Sequence, residues 1–293
     1  MLRRIVAGID GGQAGEDAAV LAETLADVEA VELLLVGVWP EVPLPVPVVL
    51  GAGAKPLEQV EQMLLGVRER LAPRGVTKVL SDRSIARALR RLGDEREVDL
   101  FVLGSAAKAT RGHARAGRDA RQVVQEAPCA VAVAARGLQR APFALRRVVV
   151  GVDGGAESEA ALRWALALAG SHGAQVTAVA VADDSLPPVT ASLTGGTAVV
   201  QWQELTAYRR ERAEQVTAAA IERDGVVAAQ VRIGDPAAEL AAAAADADLL
   251  VVGSRQWGPL ARVVLGSVGH DLLRDAPCSL VLVPRPADGE APS

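Results

Sequence analysis

The segment Arg4-Ile5-Val6-Ala7-Gly8-Ile9-Asp10-Gly11-Gly12 recurs as Arg147-Val148-Val149-Val150-Gly151-Val152-Asp153-Gly154-Gly155. Further on, Asp99-Leu100-Phe101-Val102-Leu103-Gly104-Ser105 recurs as Asp248-Leu249-Leu250-Val251-Val252-Gly253-Ser254. The first pair of blocks lies 143 residues apart and the second 149, a spacing that Gly117 and Gly266, and Cys129 and Cys278, also keep. A period this long is a duplicated domain rather than a short solenoid unit. At roughly 100–200 residues per domain, a chain of this length divides into two. The expected domains are 1–138 and 144–286. The linker falls within Arg136 to Arg146, punctuated by Gly137 and Pro142. Residues 287–293 end a Pro-rich, acidic stretch and are expected to form a disordered tail.

Each copy alternates short apolar runs with Ala/Glu/Arg-rich stretches. The runs are Ile5–Ile9, Leu33–Val38, Val76–Leu80, Leu100–Leu103 and Val131–Val133, then Val148–Val152, Val176–Val181, Val226–Val231, Leu249–Val252 and Leu280–Val283. Between them the spacing is helical; Leu162, Ala165, Leu166 and Ala169 fall on one face. Strands apolar throughout imply burial on both faces, hence a parallel sheet covered by helices. The fold class is α/β: two tandem flavodoxin/Rossmann-like, doubly wound, parallel five-stranded domains. Right-handed crossovers place a ligand crevice at the carboxyl ends of the strands.

Composition narrows the function classes. The net charge of −5 gives no general attraction for nucleic acid or an anionic membrane. No apolar stretch approaches the ~20 residues of a membrane span. The opening apolar run reaches Asp10 too soon for a signal-peptide core, so a cytoplasmic location is expected. Cys129 and Cys278 each follow Ala-Pro at the head of an apolar run and read as small buried residues starting a strand. His113, His172 and His270 are scattered, without metal spacing or an adjacent nucleophile, so neither a catalytic residue nor a metal site is assigned.

Three places lie at the expected carboxyl edge. Asp10 or Asp153 ends strand 1 before two glycines; it either accepts from an adenine amino group or ribose hydroxyl, or caps the next helix. After strand 4 of the second copy, Gly253 to Val268 combines a small-residue turn, Arg255, Arg262 and a Gly266-Ser267 pair opening a helix. Backbone N–H groups and a Ser hydroxyl there suit phosphate; the alternative is a tight turn with a Ser cap. After strand 2, Trp39–Pro47 and Asp183–Pro188 are Pro-rich and form either a flap or a surface loop.

Three sets of residues together resemble the universal stress protein family: Val150-Gly151-Val152-Asp153-Gly154-Gly155, Gly234-Asp235-Pro236-Ala237-Ala238-Glu239-Leu240, and the closing block from Gly253-Ser254-Arg255 through Leu265-Gly266-Ser267-Val268 and Ala276-Pro277-Cys278 to Val281-Leu282-Val283-Pro284. The likeness covers nearly the whole chain. It implies a nucleotide signature of Gly, two residues, Gly, nine residues, Gly, then Ser or Thr. In the second copy Gly253 and Gly266-Ser267 match, while Gln256 stands where the second Gly belongs. The resemblance implies that Asp153 and Val181 hold the adenosine end, and that the loop backbone and Ser267, with Val268 beside it, hold phosphates. The first copy keeps Asp10 and Gly104 but has Ala107 for the second Gly and Arg118 for the Ser. Its loop carries Lys108, Arg111, Arg115, Arg118 and Arg121, either a solvated basic loop or a phosphate or partner contact.

The resulting expectation is a non-enzymatic, ATP-binding stress regulator, with ATP (with or without Mg2+) mainly in the second domain. Site residues are Asp153, Val181, Gly253, Arg255, Gln256, Gly266, Ser267 and Val268, with Asp10 and Gly104 as the first-domain remnant. Two alternatives stay open: a nucleotide-free interaction module, favoured by Gln256, Ala107 and Arg118, and a slow ATPase. Family members are implied to dimerise through the last strand. The expectation here is an intramolecular pseudo-dimer through Ala130–Ala134 and Ser279–Val283, with a homodimer and unknown protein partners also open.

Overall fold

In the computed structural model the described residues are 2–27, 30–40, 57–95, 97–185, 196–256, 263–264 and 266–284. The expected tail 287–293 and most of the Pro-rich runs after strand 2 lie outside them.

The first half runs β1 (Arg4–Gly8), α1 (Gln13–Leu25), β2 (Glu32–Pro40), α2 (Leu57–Leu71), β3 (Val76–Asp82), α3 (Ile85–Glu95), β4 (Leu100–Gly104), α4 (Arg118–Glu126) and β5 (Ala130–Ala134). The second half repeats it: β6 (Arg147–Gly151), α5 (Ala156–His172), β7 (Gln175–Ala182), α6 (Gly196–Ile221), β8 (Val226–Ile233), α7 (Pro236–Ala243), β9 (Leu249–Gln256), β10 (Val263–Val264), α8 (Ser267–Leu272) and β11 (Ser279–Pro284). Each apolar run named from the sequence forms a strand. The short β10, antiparallel to the end of β9, was not foreseen.

The strands lie in the order β3-β2-β1-β4-β5-β11-β9-β6-β7-β8. Within each half all main pairings are parallel, and the order 3-2-1-4-5 is the Rossmann-type one. It puts the reversal of winding between β1 and β4, and between β6 and β9. Aspartates preceding β4 and β9 tie these neighbours together. Asp99 Oδ2 accepts from the amides of Arg3 and Arg4 at 2.7 and 2.9 Å, and Asp248 Oδ2 from Arg146 and Arg147 at 2.8 Å each.

The halves join through β5 and β11, antiparallel, with Val131, Ala132 and Val133 opposite Leu282, Val281 and Leu280. Ala132 and Val281 are equivalent positions of the repeat, so a pseudo-twofold axis passes between them. The two last strands therefore sit inside one continuous sheet. Ala135 N adds a bond across the junction to Ser279 Oγ at 3.0 Å.

Two apolar layers cover the sheet. Residues of α1, α2, α5 and α6 share one layer, and those of α3, α4, α7 and α8 the other. The central strands are buried on both faces; the edge strands β3 and β8 are not, because no strand flanks them on one side, and Val76 and Val227 are exposed. The linker is fixed by a residue the sequence did not single out. Buried Asp17 on α1 accepts from the amides of Gly137 (2.8 Å) and Gln139 (3.0 Å) at a 3-10 turn spanning Leu138–Arg140.

Candidate functional site

A cavity of about 580 Å³ opens at the reversal point of the second half. β6 ends at Gly151 and delivers Asp153 to its rim. There Gly155 N donates to Asp153 Oδ1 at 2.8 Å, and Gly154 takes φ +76°, a left-handed conformation suited to glycine. Asp153 thus shapes the entry to α5 with one oxygen while lining the cavity. Buried Ser158 completes the turn, donating to Gly155 O (3.0 Å) and accepting from Asp153 N (3.2 Å).

The apolar wall comes from three elements: Val179 and Val181 of β7, Val252 of β9, and Pro236 and Leu240 of α7. The block Gly234–Leu240 explains the last two. Asp235 caps α7, accepting from Ala238 N at 2.8 Å; Pro236 occupies the first turn, where its missing N–H costs nothing, and Leu240 lies one turn on along the same face. These residues were legible as a motif but not assigned to the site; their position after a strand's carboxyl end was the available signal.

The opposite wall is made of small residues: Gly253, Gly266, Ser267, Val268 and Gly269. Gly253 is a residue of β9, not the start of a turn as its small neighbours suggested. A Cβ there would lie 2.5 Å from the Glu157 carbonyl, so the glycine lets α5 sit on the strand. Gly104 plays the same part in the first half, where a Cβ would lie 1.9 Å from Ala14 O. The serines after them are buried and structural: Ser105 Oγ donates to Ala134 O at 2.6 Å, and Ser254 Oγ to Val283 O at 3.2 Å. Arg255 and Gln256 end β9, opposite Val264 and Val263. Their side chains, together with Trp257, Gly258 and Arg262, lie outside the described residues. Gly266 is the N-cap of α8, and Ser267 is exposed in its first turn.

The first half has a smaller cavity of about 350 Å³, lined by Asp10, Gly104 and Arg118 among others. Asp10 Oδ1 accepts from Gly12 N (2.8 Å) and Gly15 N (3.1 Å). The strand-2 floor is lost: Val36 and Val38, equivalent to Val179 and Val181, do not line it, whereas Ile85 and Leu103 do. Their bulk closes over Gly8, where a Cβ would lie 2.7 Å from Leu103 Cδ2. The basic loop is neither free nor turned wholly to solvent. It docks on the second half through the backbones of Ala114 and Ala116. Asp183 does not line the second cavity. Burial raises its carboxyl, but hydrogen bonds from Ser185 and the Arg209 guanidinium outweigh that and hold it below the usual carboxylate range. Among the described residues no group of three or more His, Cys, Asp or Glu is placed to hold a metal. No described helix is long and apolar enough to cross a membrane.

Two Rossmann-like α/β units sharing one sheet, each with a cavity at its reversal point, define the class of protein. Comparisons with known proteins agree. The model of the universal stress protein family matches residues 1–135 and 144–284. A universal stress protein of Mycolicibacterium smegmatis is 37% identical over 142 residues, 46% of this chain and 47% of that one, so the match spans about half of each. One of Mycobacterium bovis is 27% identical over 207 residues, 69% of this chain and 70% of that one. A crystal structure of a functionally unknown protein from Pseudomonas aeruginosa superposes with TM-score 0.67 at 15% identity, over 97% of this chain and 93% of that one, a likeness of fold. The chain belongs to the universal stress protein family.

Proposed function

We propose that the protein binds ATP in its second half and works as a nucleotide-responsive stress regulator rather than as an enzyme. One observation carries this reading: the second cavity is the larger and has Val179 and Val181 of β7 as its floor, whereas the first is smaller, lacks the equivalent Val36 and Val38 and has Arg118 in its lining. A purine fits against Val179, Val181, Pro236, Leu240 and Val252, with Asp153 as acceptor for its amino group or for a ribose hydroxyl. The phosphates then lie along the turn from Gly266 to Gly269, where nothing comes within 4 Å of a Cβ placed at Gly266 and Ser267 adds a hydroxyl, with Gly253 behind them. Arg255 and Gln256 belong to the same proposal, as donors to the phosphates. With Asp153 given to the adenosine end, a Mg2+ arriving with ATP would be held by phosphate oxygens, water and Glu157, the other carboxylate of the lining. In the first half the withdrawn floor and Arg118 leave Asp10 and Gly104 as remnants. The proposed boundaries, 1–138 and 144–286, separate these two units, and a cytoplasmic location suits an ATP-dependent role.

Binding regulates only if ATP favours one state over another, and the second half's continuity with the first through β5 and β11 offers a route to partners. The test is an ATP titration of the intact chain and of Ser267→Arg, which copies the first half's Arg118, together with release of any nucleotide carried through purification. About one ATP per chain, lost in the variant, supports the reading; two per chain would restore a first-half site. No ATP signal leaves the nucleotide-free interaction module, which the docked first-half loop favours. Steady phosphate release above the uncatalysed rate would establish the ATPase instead.

A further inference from the structure

The loop joining β4 to α4 in the first half stands where a nucleotide loop would stand, yet its backbone is committed elsewhere. Ala114 and Ala276 exchange both hydrogen bonds, Ala114 N to Ala276 O at 2.8 Å and Ala276 N to Ala114 O at 2.9 Å. Ala116 N donates to Leu273 O at 2.9 Å, and His113 Nδ1 lies 2.9 Å from Asp275 Oδ1. Ala114, Ala116, Leu273 and Ala276 are all buried. The loop is rigidly backed within its own half: Ser105 Oγ accepts from Arg115 N at 3.0 Å, Arg136 N donates to His113 O at 2.9 Å, and the Arg136 guanidinium donates to Ala109 O at 2.7 Å.

What this loop grips is the far end of the element that forms the small-residue wall. Leu273 is the C-cap of α8, whose first turn carries Ser267, Val268 and Gly269 of the second cavity. A six-residue helix moves as a unit, so holding its C-terminal carbonyl sets where Ser267 and the amides beside it stand. The relation is partly reciprocal, since β10, from the second half's own loop, contacts α4 of the first.

We propose that the first half's loop is a positioning element for the second half's site: the His113–Ala116 strap holds α8 in the geometry that receives phosphates, so that site occupancy and the contact between halves are coupled. This rests on the ATP reading above. Coupling is mutual by thermodynamic necessity: a strap that tightens ATP binding is itself tightened by ATP.

Amide hydrogen exchange of the intact chain, with and without ATP, tests this directly. Protection is expected at cavity residues 153–158 and 266–269, and also at Ala114 and Ala116 in the other half. Protection at the cavity with unchanged exchange at Ala114 and Ala116 would overturn the coupling while leaving the ATP site intact; no protection anywhere would overturn both. Variants give the second readout. His113→Ala and Asp275→Ala should each weaken ATP binding by about two- to fivefold, with the double variant no weaker than either single, as expected for one modest pair. Ala116→Pro, which removes the donor to Leu273, should weaken it by about tenfold or more. Lys108→Ala, on the same loop but exposed, should leave it unchanged. Affinity equal to that of the natural chain in His113→Ala, Asp275→Ala, their double variant and Ala116→Pro would refute the strap, and should Ala116→Pro fail to fold, the exchange experiment and the His113–Asp275 cycle still decide.

Discussion

His172, in the last turn of α5, sets its Nε2 3.0 Å from the carbonyl oxygen of Thr24 in α1, while its Nδ1 lies 2.9 Å from Leu168 O of its own helix. Helices that are copies of one another are thus linked by the His172 imidazole, away from the β5–β11 seam. His172→Ala removes this link between halves and is expected to cost about 1 kcal/mol, the usual worth of one such hydrogen bond. Urea unfolding checks this, and an unchanged midpoint would show the contact to be energetically idle.

Two glycine substitutions should move stability in opposite directions. Gly253→Ala drives a Cβ to 2.5 Å from the Glu157 carbonyl, where only backbone can yield, and should destabilise by about 2–3 kcal/mol. Gly170→Ala, within α5 with nothing inside 4 Å of its Cβ, should stabilise by about 0.5–1 kcal/mol through helix propensity. Melting temperatures of the two variants measured side by side are the check, and the same sign for both would contradict it.

Burial pushes the Asp17 carboxyl above its ordinary 3.8, against the opposing pull of the Gly137 and Gln139 amides. The native state therefore keeps that proton to higher pH than the unfolded chain does. Stability from this group is full below 3.8 and is lost as pH rises through the raised value. The stability of the natural chain relative to Asp17→Asn should accordingly fall as pH is raised from about 4 toward neutrality. Urea midpoints of both proteins across that range test it; a difference independent of pH would remove burial as the controlling effect.

Both cysteines should be unreactive in the native protein. Burial, aided by the Asp248 carboxylate, pushes the Cys278 thiol up to about 12; Cys129 is half-buried rather than buried as its place in the sequence suggests, but desolvation of its thiol, with Asp99, raises it in the same direction. Only the thiolate attacks. A disulfide reagent near neutral pH should find no fast-reacting thiol until denaturant is added, when both react. Rapid labelling of native protein would mean that the strand ends open readily.

The repeat, the strands and the Rossmann-like class were all legible in the chain, because each depends on local pattern: short apolar runs, helical spacing between them, and Asp-Gly-Gly at a strand end. The pairing of Ala130–Ala134 with Ser279–Val283 was legible too, through the resemblance that the repeated motifs carry. Gly253, Gly266 and Ser267 were named from one-dimensional spacing and Val181 through the family resemblance, and all four line one cavity. Only the tertiary structure decided the rest. Gly253 is a residue of β9 because the pairing with β11 and then β10 carries the strand past it, and no local signal records that. Pro236, Leu240 and Ser158 join the site because crossovers bring three segments to one reversal point. Asp17 reads as an ordinary polar position on a helix, yet it holds the linker, since its partners Gly137 and Gln139 lie over a hundred residues away in sequence. The basic loop of the first half is the sharpest case: its charges suggest solvent, phosphate or a partner, but the contact is made by the alanines between them, buried against Leu273 and Ala276 of the other half. Composition reports what side chains can do, whereas backbone hydrogen bonds between distant segments depend on where the fold sets two stretches side by side.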